Sequence, residues 1–270
     1  MLSEIKHHMG WRFSISQILC LLLLFGVSIG YTDGMGKEIS IFGLLLDRSN
    51  EGLLRVLNVF EIWSSVIATY TSIMYPILVC IGFSFSIYYE KKGFRRNIFI
   101  RKNRGRYCFD KVTGAVISGG MTFFVAYLII GVLIRFRAVG VLVFFSMESN
   151  EFMTCLVKLI CSFLYGMELS LFFIIVSVFF DDKYELMCLP ILIKYLVHIV
   201  SDRVLILGMK ADSSFFIHVS QVTLNPENII SNYSLPIEKV ESVGIMIVFY
   251  ILAICLLNVR IRRDGKYGKI

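Results

Sequence analysis

The chain has 270 residues, 57% of them hydrophobic and 17% charged, with a formal net charge of +7. A soluble domain is about 45–50% apolar and about 25% charged. The departure in both directions, with a mean hydropathy of +0.75, points to a membrane protein and excludes a disordered, collagenous or disulfide-stapled secreted chain.

A membrane helix takes about 20 mostly apolar residues at ~1.5 Å rise each. Six stretches qualify. The first, Phe13–Ile29, follows Lys6 and Arg12, as a signal peptide would. Its apolar run is long for that purpose, and the exit Val27-Ser28-Ile29-Gly30-Tyr31 offers no A-x-A cleavage site, so it reads as a retained span. The second, Ile62–Tyr88, is polar for a span, with Ser64, Ser65, Thr69, Thr71 and Ser72. The third is Val112–Ile134 and the fourth Phe152–Phe180. The fifth, Leu186–Val200, is short but reaches full length if it continues through Leu207; the sixth is Ser242–Val259.

Orientation follows from lysine and arginine placement. With the N-terminus inside, the inner segments hold two basic residues before the first span, nine between Tyr89 and Lys111, Lys183, and five after Val259. That is 17 of the 27. The expected fold is therefore all-α: a single polytopic membrane domain of six transmembrane helices with both termini cytoplasmic, located in the cell membrane. The positive charge is a topology signal, and no soluble domain presents a basic face for nucleic acid. The longest outer loops, about 31–61 and 201–240, are too short for a globular domain.

Six of the seven cysteines, Cys20, Cys80, Cys155, Cys161, Cys188 and Cys255, lie in apolar stretches, and Cys108 in a basic one. No CxxC or Cys/His cluster occurs, so they read as small buried hydrophobes, with no metal and no cofactor expected.

The segment from Tyr89 to Lys111 carries the most information. Phe94 and Ile98 share a helical face, with Arg95, Arg101 and Lys102 around them. A short basic amphipathic helix of this kind suits the inner leaflet, with its apolar edge among headgroups and its charges on phosphates. It serves as a topology anchor or as a docking element for a cytoplasmic protein.

The second span runs into Glu90-Lys-Lys-Gly-Phe-Arg-Arg96, then a basic stretch, then Asp110-Lys111 opening the third span, and Leu224-Asn225-Pro226 precedes the last. This pattern resembles the permease subunits of ATP-binding-cassette transporters of the type-two export family. The resemblance covers nearly the whole chain in layout and about 90–120 in motif. It implies that the inner loop forms a coupling helix against an ATPase, with Glu90, Gly93, Phe94, Arg95, Arg96 and Ile98 in that role. It also implies export, and short outer helices before the last span that close the exit.

No ATPase is legible in this chain. A Walker A loop needs G-x-x-x-x-G-K-[ST]. The nearest match, Gly36-Lys37, has Tyr31 where glycine is required and Glu38 where Ser or Thr is required. ATP hydrolysis is therefore expected on a separate subunit. One set of six helices leaves little room for a pathway, so a second permease, identical or similar, is the other expected partner.

Within the spans, Gly114, Ser118, Thr122 and Ala126 stand four apart, with Gly119 and Gly120 beside them. Small residues at this spacing let helices approach closely, and they can also line a path. Glu168 sits near the middle of the fourth span, where a charge costs at least ~2.5–3.5 kcal/mol. Lys194, His198 and Asp202 form one polar stripe on a continuous fifth helix. The short connection at Asp181–Glu185 makes Lys194 a partner for Glu168 across antiparallel neighbours. The set is read as a structural ion pair, a pathway lining or, through His198, a proton relay. Lys158, nearer an outer end, is placed to snorkel. The outer loop's Phe215, Phe216, Ile217 and Val219, punctuated later by Pro226 and Pro236, suggest re-entrant or surface-lying pieces. Asn232-Tyr-Ser234 matches a glycosylation pattern.

Two rival functions stand beside the permease. An intramembrane serine protease needs Gly-x-Ser-Gly, and Ser118-Gly119-Gly120 is preceded by Val116 in place of glycine. A metalloprotease needs H-E-x-x-H, which is absent: His7 and His8 are adjacent and His198 is alone in its span. A receptor or scaffold that binds without transporting uses the same basic loop equally well.

Overall fold

The computed structural model describes residues 15, 18–19, 22, 26, 28–32, 38–40, 42–43, 103–139, 149–180, 182–211, 213, 215–216 and 236–266. Nearly all of these are helical. A small antiparallel ribbon is the exception, formed by β1 (Ser28–Thr32) and β2 (Glu38–Ser40), with Ser28 opposite Ser40 and Thr32 opposite Glu38. It begins inside the last two residues of the first predicted span. Gly30 disfavours helix there, and Ile29, Tyr31 and Thr32 favour extended backbone. Before it, Ile15, Ile18 and Leu22 are helical, share one face, and are all exposed.

Four long helices make up the rest: α1 (Arg104–Val139), α2 (Ser149–Ser177), α3 (Lys183–Lys210) and α4 (Pro236–Lys266). Three of them contain stretches long and apolar enough to cross a membrane, Arg104–Leu133, Cys155–Ser177 and Val243–Arg263. These match the third, fourth and sixth predicted spans. The fifth appears as one continuous helix of 28 residues, about 42 Å long at ~1.5 Å per residue. Lys194, Asp202 and Arg203 interrupt its apolar run.

The helix ends follow local chemistry. α1 starts two turns before Val112, because Asn103 caps it: its side-chain oxygen accepts from Gly105 N–H at 3.4 Å and its carbonyl from Tyr107 N–H at 2.9 Å. The residues from Arg104 to Lys111, expected in an inner loop, are thus helical and continuous with the third span. α3 opens on Asp182, whose carbonyl accepts from Leu186 N–H at 3.0 Å. α4 opens six residues before Ser242, at Pro236, where the fixed φ of proline suits the first helical position.

The α1–α2 contact is the most extensive; α4 packs on both of these helices, and α3 packs on α2. The α1–α2 crossing is built on glycines. A Cβ on Gly119 would collide with the Ser170 hydroxyl and lie 2.9 Å from Gly166 O. A Cβ on Gly166 would meet Gly119 O at 2.5 Å and Phe123 at 2.6 Å. Backbone therefore lies almost on backbone. Beyond this point along α1 the rings of Phe123 and Tyr165 meet edge to face at 5.4 Å, and those of Phe124 and Phe163 at 6.4 Å. Partners rise along α1 as they fall along α2, so the two run antiparallel. Tyr107, Phe123, Tyr127, Ile130 and Tyr165 are the largest fully buried side chains.

The predicted row of small residues is buried here too. Ser118 donates to Ala115 O at 3.1 Å and Thr122 to Ser118 O at 2.8 Å. Ser162, Ser170 and Ser177 likewise turn back on their own helix. Hydroxyls satisfied in this way need no water, which favours packing over a path lining at this interface.

Candidate functional site

Of the buried ionisable side chains among the described residues, two lie toward the middle of contacting helices. Glu168 on α2 is 4% exposed and Lys194 on α3 is 3% exposed. α2 and α3 are in contact and joined by a short turn. Counted from that turn, Glu168 lies nine residues before Ser177 and Lys194 eleven after Lys183. At ~1.5 Å per residue the two sit at about 14 Å and about 17 Å depth, close to level. Neither is left isolated.

The burial pattern explains why these positions face protein. On α2 the packed face runs through Lys158, Cys161, Ser162, Tyr165, Glu168, Leu169 and Phe173, at helical spacing. Lys158 and Glu168 therefore both fall on the packed face. Lys158, read as snorkelling from its depth, is instead 8% exposed, because it stands seven residues before Tyr165 on that face. Among the α3 side chains described, the buried ones are Leu186, Lys194, Ser201 and Gly208, mostly polar or small. Leu192, Leu196, Ile199, Val200, Ile206 and Leu207 face outward. His198 is half-buried and Asp202 exposed, so the predicted stripe runs from the interior at Lys194 to the surface at Asp202.

At the other contact, α1 and α4 meet through Tyr107, Cys108 and Ile261, with Ile254 and Leu257 packed against them. Phe109 meets Tyr250 edge to face at 6.3 Å, and the Thr113 and Tyr250 hydroxyls lie 2.6 Å apart. Thr113 also donates its one proton to Phe109 O at 2.7 Å. Tyr250 is therefore the donor to Thr113. These pairs rise along α1 and fall along α4, so this pair too is antiparallel. Asp110, Lys111 and Arg260 are buried beside the contact, and Arg135 is buried toward the far end of α1. The sequence reading singled out none of the four as interior. For Arg135 a signal existed: it stands eight residues beyond Tyr127, on the same face.

The coupling-loop residues Glu90, Gly93, Phe94, Arg95, Arg96 and Ile98, and the second span, lie outside the described residues. Of the cysteines, Cys108 and Cys161 are buried, Cys155 half-buried, and Cys188 and Cys255 exposed; all five are free thiols. Among the described residues no group of three His, Cys, Asp or Glu side chains gathers to hold a metal ion.

No protein-family model matches the chain, and no curated protein is significantly similar to it.

Proposed function

We propose that the chain is a permease subunit of an ATP-binding-cassette transporter: six spans in the cell membrane, both termini cytoplasmic, paired with a second permease and with separate ATPase subunits that dock on the loop around Arg95 and Arg96. Export is the expected direction. The observation that carries this is the pair of buried ionisable groups, Glu168 and Lys194, near level on contacting helices. Intramembrane charges are costly and most often serve a path or a relay.

Two further features support it. α2 and α4 are each antiparallel to α1, so both start on the same side of the membrane. The chain must return across between Ser177 and Pro236, and α3 is long enough for that fifth crossing. α4, moreover, buries only a narrow stripe about Ala253, Arg260 and Ile261, while Ile247, Val248, Ile251, Leu252 and Val259 face outward. That leaves apolar surface for a second subunit or for lipid.

A scaffold that transports nothing is favoured by one observation, the self-satisfied hydroxyls at the α1–α2 contact. One experiment separates the two. The tagged chain is drawn from its native membrane in gentle detergent, and co-eluting proteins are identified by mass spectrometry. A stoichiometric soluble protein bearing a Walker A loop supports the transporter. An intact permease fold that brings down no such protein sinks it, and removes the docking role from Arg95 and Arg96.

A further inference from the structure

The start of α1 and the end of α4 place four exposed arginines at one end of the helix pair. Tyr107 and Cys108 touch Ile261. Arg104 and Arg106 stand within a turn of the first pair, and Arg262 and Arg263 directly follow Ile261; all four are exposed. Asp110 and Lys111, buried next to them, cancel in formal charge, and Arg260 adds to the positive side. The first turn of α1 contains no acidic residue. The positive end of its dipole therefore adds to the field of the arginines.

The membrane side of this cluster is apolar. Phe109 lies three residues beyond Arg106 on the same face and is 46% exposed; Val259 lies three before Arg262 on the same face and is 64% exposed. Phe109 also contacts Tyr250, so it stands at the α1–α4 seam. Each helix thus presents guanidinium outermost and exposed apolar side chain just below it. A soluble acidic partner would complement only the first layer. A lipid with an anionic headgroup and acyl chains complements both.

We propose that the α1–α4 seam is a binding site for an anionic phospholipid, its phosphate held by Arg106 and Arg262, its acyl chains lying on Phe109 and Val259, and Arg104 and Arg263 adding to the positive field. The bound headgroup offsets the repulsion among the arginines and ties the two helices together. The site is independent of the transporter reading and stands or falls on its own test.

The test uses the full chain in nanodiscs of phosphatidylcholine containing about a fifth phosphatidylglycerol, with bound lipid counted by native mass spectrometry after stepwise delipidation. The wild type should retain phosphatidylglycerol over phosphatidylcholine. At about 1 kcal/mol per arginine near a charged headgroup, Arg106→Gln with Arg262→Gln should lower that retention at least tenfold. Arg203→Gln with Lys210→Gln, on α3, should leave it unchanged. Equal loss in both double variants, or none in the first, would overturn the site. Inorganic phosphate is the second arm: displacement of the lipid at millimolar phosphate would point to a free-anion site and overturn the lipid assignment. Should the Arg106/Arg262 variant misfold, a photoactivatable phosphatidylglycerol on the wild type decides. Cross-links within 104–109 and 259–263 support the site, and cross-links confined elsewhere overturn it.

Discussion

Adding one methyl group at Gly105, Gly119, Gly120, Gly166 or Gly244 in the long helices should have effects of opposite sign. At Gly166 the new Cβ would meet Gly119 O at 2.5 Å and Phe123 at 2.6 Å. Ordinary contact begins at 3.4 Å, so α1 and α2 must separate by roughly 0.9 Å, and overpacking of this kind costs ~1–3 kcal/mol. The obstacle is backbone, which no rotamer change can relieve. At Gly119 the collision is with the Ser170 hydroxyl and with Gly166 O at 2.9 Å. Part of that strain sits on a movable side chain, so Ser170→Gly should recover part of the Gly119→Ala loss and none of the Gly166→Ala loss. At Gly120 the neighbours are the ends of Phe163 and Met167, and the cost should be near the lower bound, ~1 kcal/mol. At Gly105 and Gly244 a Cβ meets nothing within 4 Å. There alanine removes the helix cost of glycine, up to ~1 kcal/mol. The assay is reversible unfolding in mixed micelles by dodecyl-sulfate titration, followed by far-ultraviolet circular dichroism. The expected order of stability is Gly244→Ala and Gly105→Ala at or above wild type, then Gly120→Ala, then Gly119→Ala, then Gly166→Ala. If Gly244→Ala were as harmful as Gly166→Ala, the close α1–α2 crossing would be refuted.

The hydroxyl pair at the α1–α4 contact gives a directional test. Because Tyr250 is the donor, Thr113→Val strands an O–H and should cost more than Tyr250→Phe, by about 0.5–1 kcal/mol in the same titration; the reverse order would reassign the proton. Glu168→Lys and Lys194→Glu should each destabilise strongly, by ~3–5 kcal/mol for a buried charge left unpaired, with the double exchange recovering much of the loss. No recovery in the double exchange would count against pairing. Under the transporter proposal, reversing Arg95 and Arg96 should lower stimulated ATPase turnover with unchanged helical content; intact coupling would end the docking role.

How much of this was legible in the sequence depends on the kind of signal. The α1, α2 and α4 spans were readable from continuous apolar runs, because lipid demands a length of apolar helix and little else. The true helix ends were less legible. Apolarity marks where a helix meets the bilayer, while Asn103 and Pro236 mark where the hydrogen bonds start. Gly119 and Gly120 were flagged as permitting close approach, and the partner surface at Gly166 and Ser170 was not. A glycine shows that contact is possible on one helix; which face of the next helix receives it depends on crossing geometry that no single segment encodes.

The charged interior was half legible for a similar reason. Glu168 and Lys194 stood out because they interrupt apolar runs. Lys158 was assigned by depth alone, as a residue near a span end that would reach for water. Its place on the face shared with Tyr165 proved the stronger determinant. Depth sets how far a side chain must travel to solvent, and face sets whether it has an open route. The same distinction orders the whole bundle. Between Leu192 and Ser201, α3 turns Lys194 and Ser201 inward and Leu192, Leu196, Ile199 and Val200 outward, the reverse of a helix on a water-soluble protein. In water that arrangement would expose a continuous apolar surface and bury a charge, two penalties at once. In lipid the outward leucines cost nothing and the interior is where polar groups find partners. The orientation of this one helix, apart from any count of spans, therefore argues for a bilayer around the protein.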